Sequence, residues 1–169
     1  MDGKDSLVST VAYVVFGVVL AFGINSALAL ALSTDMPVVA VESNSMVPTF
    51  SRGDILVLQG VPSEQLKIGD IIVFSPAPGT TPIVHRIIKL NPDGTFQTKG
   101  DANTGQLPFE KSISPDEIHG REIAIVPFLG WVKIGMNEVL LPNILWIAMG
   151  ISIYILYTEL IRTKRVRWW

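Results

Sequence analysis

Two long stretches without a charged side chain frame this sequence, residues 7–32 and residues 139–158. Each reaches the roughly 20 apolar residues that a helix needs to cross a bilayer, so the pattern predicts two membrane segments. Between them the apolar residues come in short bursts: "PVVAV", "DILVLQ", "DIIVFS", "IVHRIIKL", "TFQTKG" and "REIAIVPFLGWVKI". Pro, Gly, Asp and Asn separate the bursts, and "NPDG" at 91–94 reads as a turn between two of them. Such spacing predicts a small antiparallel β-sheet or barrel more than βαβ units. The fold class is therefore mainly β, with the sheet set between two transmembrane helices. "VPSEQLKIGD" at 61–70 has room for one helical turn.

The flanking residues set the boundaries. The first segment shares features with a cleaved secretory signal, since "ALALAL" offers Ala-x-Ala sites at Ala27/Ala29 and Ala29/Ala31. Its apolar run is longer than the roughly 7–15 residues of a signal core, and Lys4 is the one basic residue ahead of it. A retained anchor over 1–32 fits better. In the second segment, 139–161, Trp146, Tyr154 and Tyr157 and the tail "RTKRVRWW" favour a span ending at a membrane surface. Arg162, Lys164, Arg165 and Arg167 bias that tail, 162–169, toward the cytoplasm. Two spans then return the N-terminus to the cytoplasm and leave residues 33–138 outside.

Composition narrows the classes. Of 169 residues, 49% are hydrophobic and 17% are charged, and the mean hydropathy is positive. Membrane segments on one modest domain account for that balance. Residues 33–138 carry 12 Asp plus Glu against 8 Lys plus Arg, so no basic stripe points to nucleic acid. The absence of Cys excludes disulfides and thiolate metal sites. No residue pattern calls for a cofactor or a metal.

Chemistry concentrates in a few polar positions. "RGDILVL" and "IGDIIVF" both turn through Gly-Asp into an apolar run, so Asp54 and Asp70 read as turn residues bonding local backbone N–H groups. The third Gly-Asp, in "KGDANTG", is followed by small polar residues, which leaves Asp101 freer for another task. His85 interrupts the apolar run "PIVHRII", whereas His119 in "DEIHGRE" reads as ordinary surface. Ser45 in "VESNSMVPTF", His85 and Asp101 supply the types needed for base-assisted attack by a hydroxyl. Residue types alone do not bring the three together.

Four motifs in order do more. "SNSMVPTF", "GDIIVF", "VHRI" and "KGDAN", over residues 38–105, resemble the successive boxes of type I signal peptidases. With His85 where the bacterial branch has Lys, the likeness is to the archaeal and endoplasmic-reticulum branch. The resemblance implies a membrane-bound serine endopeptidase that cleaves signal peptides from exported preproteins at the extracytoplasmic membrane face. It implies Ser45 as nucleophile, His85 as general base, and Ser43 with the Ser45 backbone as oxyanion donors. Asn44 departs from the Gly more usual there and reads as fitting a turn.

The acid departs from the family pattern, because the positions of a commonly assigned second Asp fall at Gln106 and Leu107. Asp101 is the expected acid, with Glu110 reaching back, or a Ser/His dyad, as the alternatives. Substrate is implied to enter as an extended strand beside 37–41 and 81–84, with Val39, Val41 and Ile83 at the binding strands. The implied partners are secretory preproteins, the lipid membrane and export machinery. The expected location is the cell (cytoplasmic) membrane in a multi-pass arrangement, with the endoplasmic reticulum less favoured. A non-catalytic membrane-anchored β-domain that scaffolds export partners is the competing reading.

Overall fold

The computed structural model describes residues 3–166, so residues 1–2 and 167–169 lie outside the described residues. The expectation that basic side chains orient the C-terminus rests on 162–169, whose side chains are also outside the described set. The chain divides into two compact units, Met1–Gly130 and Trp131–Trp169.

The first unit begins with α1 (Gly3–Ala31). Its Val8–Ala31 portion is long and apolar enough to cross a membrane. At about 1.5 Å per residue it exceeds the roughly 30 Å of bilayer hydrocarbon. Val11, Phe16 and Phe22 are more than half exposed, as expected of a helix that is apolar all round and faces lipid. The helix ends in a Schellman motif: Thr34 N–H bonds Ala29 O, Ser33 N–H bonds Leu30 O, and Ser33 takes a φ of 53°.

Six strands follow: β1 (Val38–Ala40), β2 (Ile55–Gln59), β3 (Ile71–Phe74), β4 (Ile83–Leu90), β5 (Phe96–Lys99) and β6 (Ile118–Val126). They form one sheet in the order β1-β2-β6-β3-β4-β5, and every pairing is antiparallel. The helical turn expected in 61–70 is a 3-10 turn at Ser63–Gln65. β6 starts earlier than the apolar run and stops at Val126, because Pro127 has no N–H to give a ladder.

Strand β3 sits between β6 and β4 and is buried on both faces. Its side chains alternate, as the pleat requires. Ile71 and Val73 join Leu56, Leu58, Met46 and Phe50 in one cluster. Ile72 and Phe74 join Ile87, Phe96, Ile113 and Leu66 in another. The sheet therefore has a core on each face.

Where the sequence predicts a transmembrane helix over 139–161, the second unit holds a bent pair of helices. Helix α2 (Trp131–Gly135) runs into a π turn, Met136–Leu140, and α3 (Ile144–Val166) starts only after a break. Trp131–Leu140 and Ile144–Thr158 meet at 72°. Pro142 lies in the break and supplies no N–H to a helical ladder, and Asn143 Nδ2 donates to Val139 O at 2.7 Å. Among the described residues one helix is long and apolar enough to cross a membrane, and the bent pair passes that test if its two pieces are taken as one span.

Asp54 closes the start of β2. Its carboxylate accepts the Ser51 N–H at 2.9 Å and the Phe128 N–H at 3.1 Å. Asp54→Ala is expected to destabilise the first unit by about 1–3 kcal/mol, since partly buried donors lose their acceptor. Thermal and denaturant unfolding in detergent measure it, and an unchanged midpoint would assign the turn to its backbone bonds alone.

Candidate active site

Three elements of the first unit each contribute one functional side chain. Ser45 lies in the loop after β1. That loop is pinned by Met46 and Phe50, 1% and 3% exposed, in the first cluster. Asn44 holds it from the other side, its side-chain oxygen accepting the Arg52 N–H at 2.9 Å. His85 is on β4 opposite Ile72 and is buried. Glu110 lies in the 3-10 turn Pro108–Lys111 and has no exposed surface.

These side chains form one hydrogen-bonded chain. His85 Nε2 is 3.1 Å from Ser45 Oγ, and His85 Nδ1 is bonded to Glu110 Oε1. A proton on Nδ1, donated to the carboxylate, leaves Nε2 to accept from the Ser45 hydroxyl. Glu110 also accepts the Leu107 N–H at 2.6 Å, and the Thr98 hydroxyl lies 3.5 Å from it. A buried carboxylate needs such partners. Gln106 Nε2 donates to Thr98 O at 2.9 Å and to Glu110 O at 3.4 Å, which ties the turn to β5.

The expectation that Asp101 orients His85 is corrected by this geometry. Consecutive residues of a strand point to opposite faces, so His85 and Arg86 part company, and the Asp101 carboxylate goes with Arg86. Arg86 Nε donates to Asp101 Oδ1 at 2.9 Å and Nη2 to Oδ2 at 2.6 Å. Thr49 donates its hydroxyl to Oδ2 at 2.6 Å, and Arg86 Nη1 reaches Gly69 O at 2.9 Å. The Arg86 guanidinium holds the Asp101 carboxyl below its ordinary value, with burial opposing and Thr49 assisting. Asp101 thus clamps β4 to the loop that carries Ser45. The same loop braces Ser45 directly, because Ala102 N–H donates to Ser45 O at 2.8 Å. At Gly100 a Cβ would fall 2.7 Å from Ser45 O and 2.8 Å from His85 Nε2.

Ser43 Oγ lies 3.2 Å from Ser45 Oγ and is exposed. Val39 and Ile83 lie on β1 and β4, partly buried against opposite clusters. Val41 is corrected: its side chain is core, 5% exposed, and its backbone N–H and C=O bond Asp54 and Gly53. Pro37 O likewise accepts from Leu58 N–H. Antiparallel bonding alternates, so Val38 and Ala40, not Val39 and Val41, turn backbone groups to the open edge of β1. On β4, pairing with β5 begins at Arg86, which leaves the edge at Ile83 open on that side. His119 lies elsewhere, on β6 beside Asp35.

A profile of the signal peptidase family, peptidase S26, matches residues 8–101, more than half of the chain. The chain is 37% identical over 118 residues to the human signal peptidase complex catalytic subunit SEC11C, covering 62% of this chain and 59% of that protein. It is 36% identical over 114 residues to signal peptidase complex catalytic subunit sec11 of Dictyostelium discoideum, covering 62% and 63%. To signal peptidase complex catalytic subunit SEC11 of Chaetomium globosum it is 33% identical over 135 residues, covering 73% and 78%. The chain thus spans less than two thirds of the human relative's length.

These relatives overturn the expected location. They are catalytic subunits of eukaryotic signal peptidase complexes, which stands against a multi-pass protein of the cell membrane with the endoplasmic reticulum disfavoured. They are also eukaryotic, so they do not carry the archaeal side of the likeness.

Labelling of Ser45 by a serine-directed acylating reagent tests the acid. Glu110→Gln should slow it on the scale of ~10⁴, the loss seen when a triad acid is neutralised in a well-studied protease. Asp101→Asn should cost far less in rate. A Glu110→Gln protein that labels at the parent rate would leave Ser45 and His85 as a pair.

The clamp predicts an acid response. A carboxyl whose folded pKa is lowered adds stability above its unfolded value and loses it as pH falls through the folded one. Starting from the ordinary 3.8, the Asp101 contribution is complete above that pH and disappears below it. Unfolding midpoints should therefore drop less steeply below that pH in Asp101→Asn than in the parent. Superimposable acid limbs would show that the clamp does not titrate with folding.

Proposed function

The chain belongs to the signal peptidase family, peptidase S26, and on that premise we propose that it is a membrane-bound serine endopeptidase removing N-terminal signal peptides from exported preproteins at the extracytoplasmic membrane face. The observation that carries the reading is the Ser45–His85–Glu110 chain, set 14 residues beyond the end of the Val8–Ala31 helix. A nucleophile so tethered works near the surface where a signal peptide leaves the bilayer.

The steps follow from the atoms. Ser45 Oγ attacks the scissile carbonyl while His85 Nε2 takes its proton, and Glu110 stabilises the imidazolium through Nδ1–H. Negative charge appears on the carbonyl oxygen as the tetrahedral intermediate forms, and the Ser43 hydroxyl and Ser45 N–H are its donors. Collapse expels the amine of the mature protein, which receives the proton from His85. Water, deprotonated by His85, then releases the signal peptide from Ser45.

Substrate adds as a strand to the open edge of β1, bonding Val38 and Ala40, with the free edge at Ile83 as second neighbour. The catalytic domain is the β-region from residue 33 to the end of β6, and α1 is its anchor. The apolar bent pair in the second unit is membrane-associated. Preproteins and the lipid bilayer are the partners, together with accessory subunits of the kind implied by relatives that are catalytic subunits of a complex.

Reconstitution with a membrane-inserted preprotein tests the reading. The parent should release the mature product, and Ser45→Ala should abolish release while keeping the unfolding midpoint. A folded parent that cleaves nothing but retains preprotein would favour the scaffold.

A further inference from the structure

A second Ser–His–Asp set lies at the foot of the anchor. Ser75 Oγ is 2.8 Å from His119 Nε2, and His119 Nδ1 is 3.0 Å from Asp35 Oδ2. It is not built like the first. The Ser75 backbone N–H already donates to Glu117 O at 2.9 Å, so the amide that would serve an oxyanion is occupied. The Asp35 side chain is 67% exposed, where solvent and salt screen its charge. Nucleophilic chemistry is therefore a poor account of this cluster, and its place in the fold gives a better one.

His119 is the extra residue of a β-bulge, since Val73 pairs with Gly120 and Phe74 with Ile118. Bulges re-aim a side chain, and here the ring is turned to the loop that leaves α1. That loop is bonded to the sheet at several points. Thr34 donates its hydroxyl to His119 O at 2.7 Å and accepts the Met36 N–H at 3.1 Å. Gly60 N–H donates to Leu32 O at 2.8 Å. A Cβ at Gly60 would fall 1.9 Å from Ser33 O, so only glycine admits this approach.

The contact is not closed by packing. A cavity of about 470 Å³ opens beside it, lined among others by Thr34, Asp35, Gly60, Leu66 and His119. With open space on that side, the polar bonds add to the packing of Met36 on the first cluster in fixing where the loop lies. β1 begins three residues after Asp35 and leads into the nucleophile loop.

We propose that Asp35, His119 and Ser75 form a latch that fixes the end of the membrane anchor to the catalytic sheet and so sets where Ser45 stands relative to the bilayer. His119 and Asp35 are positioning residues acting through the anchor. The positioning role rests on the peptidase reading, whereas the latch itself does not.

Two readouts on the full chain in lipid nanodiscs test it. Amide exchange at Met36 and Gly60 reports the latch. His119→Ala and Asp35→Ala should each raise it by about tenfold, the scale of a lost hydrogen bond. Asp35→Asn should stay near the parent, because its side-chain oxygen still accepts from Nδ1–H. Cleavage reports the positioning: both alanine variants should process a soluble signal-sequence peptide at the parent rate and lose most activity on a membrane-inserted preprotein, or shift its cut site.

Unchanged exchange in both alanine variants overturns the latch. Faster exchange with equal rates on both substrates, or equal losses, overturns the positioning role. A parent that cleaves neither substrate overturns the peptidase reading and the positioning with it, and the exchange result then decides the latch alone.

Discussion

A carboxylate with no exposed surface, Glu110, is the constraint on which the site depends. Removing such a group from water is costly unless its oxygens find donors. Leu107 N–H and His85 Nδ1 provide them, with Thr98 near by. Each donor constrains the local structure. Leu107 requires the 3-10 turn to close on itself, and Thr98 and His85 require β5 and β4 to stay in register. One buried charge thereby orients the imidazole and selects its tautomer, which leaves Nε2 facing Ser45.

The two-faced sheet makes this arrangement compatible with a second network. β4 sends Ile83, His85 and Ile87 to one face and Val84 and Arg86 to the other, following the pleat. Glu110 and the second cluster share the face of His85. Arg86 meets Asp101 and Thr49 on the face where Met46 and Phe50 anchor the nucleophile loop. The carboxylates therefore divide the work: Glu110 orients His85 and Asp101 fixes the loop that carries Ser45.

Much of this was legible in the residues, and the failures have physical causes. "IVHRIIKL" coincides with β4 because β-branched residues between turn signals leave few alternatives. The Gly-Asp turns at Asp54 and Asp70 bond local N–H groups as expected, and Asn44 does fit its turn. Over 139–161 hydropathy marks the apolar helix but does not register the break at Pro142, which makes the second segment a bent pair. In the sequence the polar, loop-like motif around Asp101 favours it as the acid. The pleat argues against it, since the Asp101 carboxylate takes its bonds from Arg86, the neighbour of His85 that points to the other face. Glu110 was harder to read, because neither its burial nor the turn that aims it leaves a periodic trace. The bulge at His119 is also silent in the sequence, which is why a histidine read as ordinary surface has partners on both ring nitrogens.

Strand β2 ties these local devices to the membrane. At its end Gly60 meets the anchor, and at its start Gly53 and Asp54 bond Val41 just ahead of the nucleophile loop. Six residue steps at about 3.4 Å each, from Asp54 to Gly60, separate the two contacts by roughly 20 Å. β1 runs antiparallel beside it, from the anchor's exit toward Ser45. The pair behaves as a stiff rod with one end fixed to the span and the other to the chemistry. A flexible tether would let Ser45 sample many heights above the bilayer, and only a fraction would meet an extended segment leaving it. A rod paired along its length restricts Ser45 to few heights, provided that its joint with the anchor does not bend. The glycine at residue 60 and the bulge at His119 serve that condition, one by closeness and the other by direction.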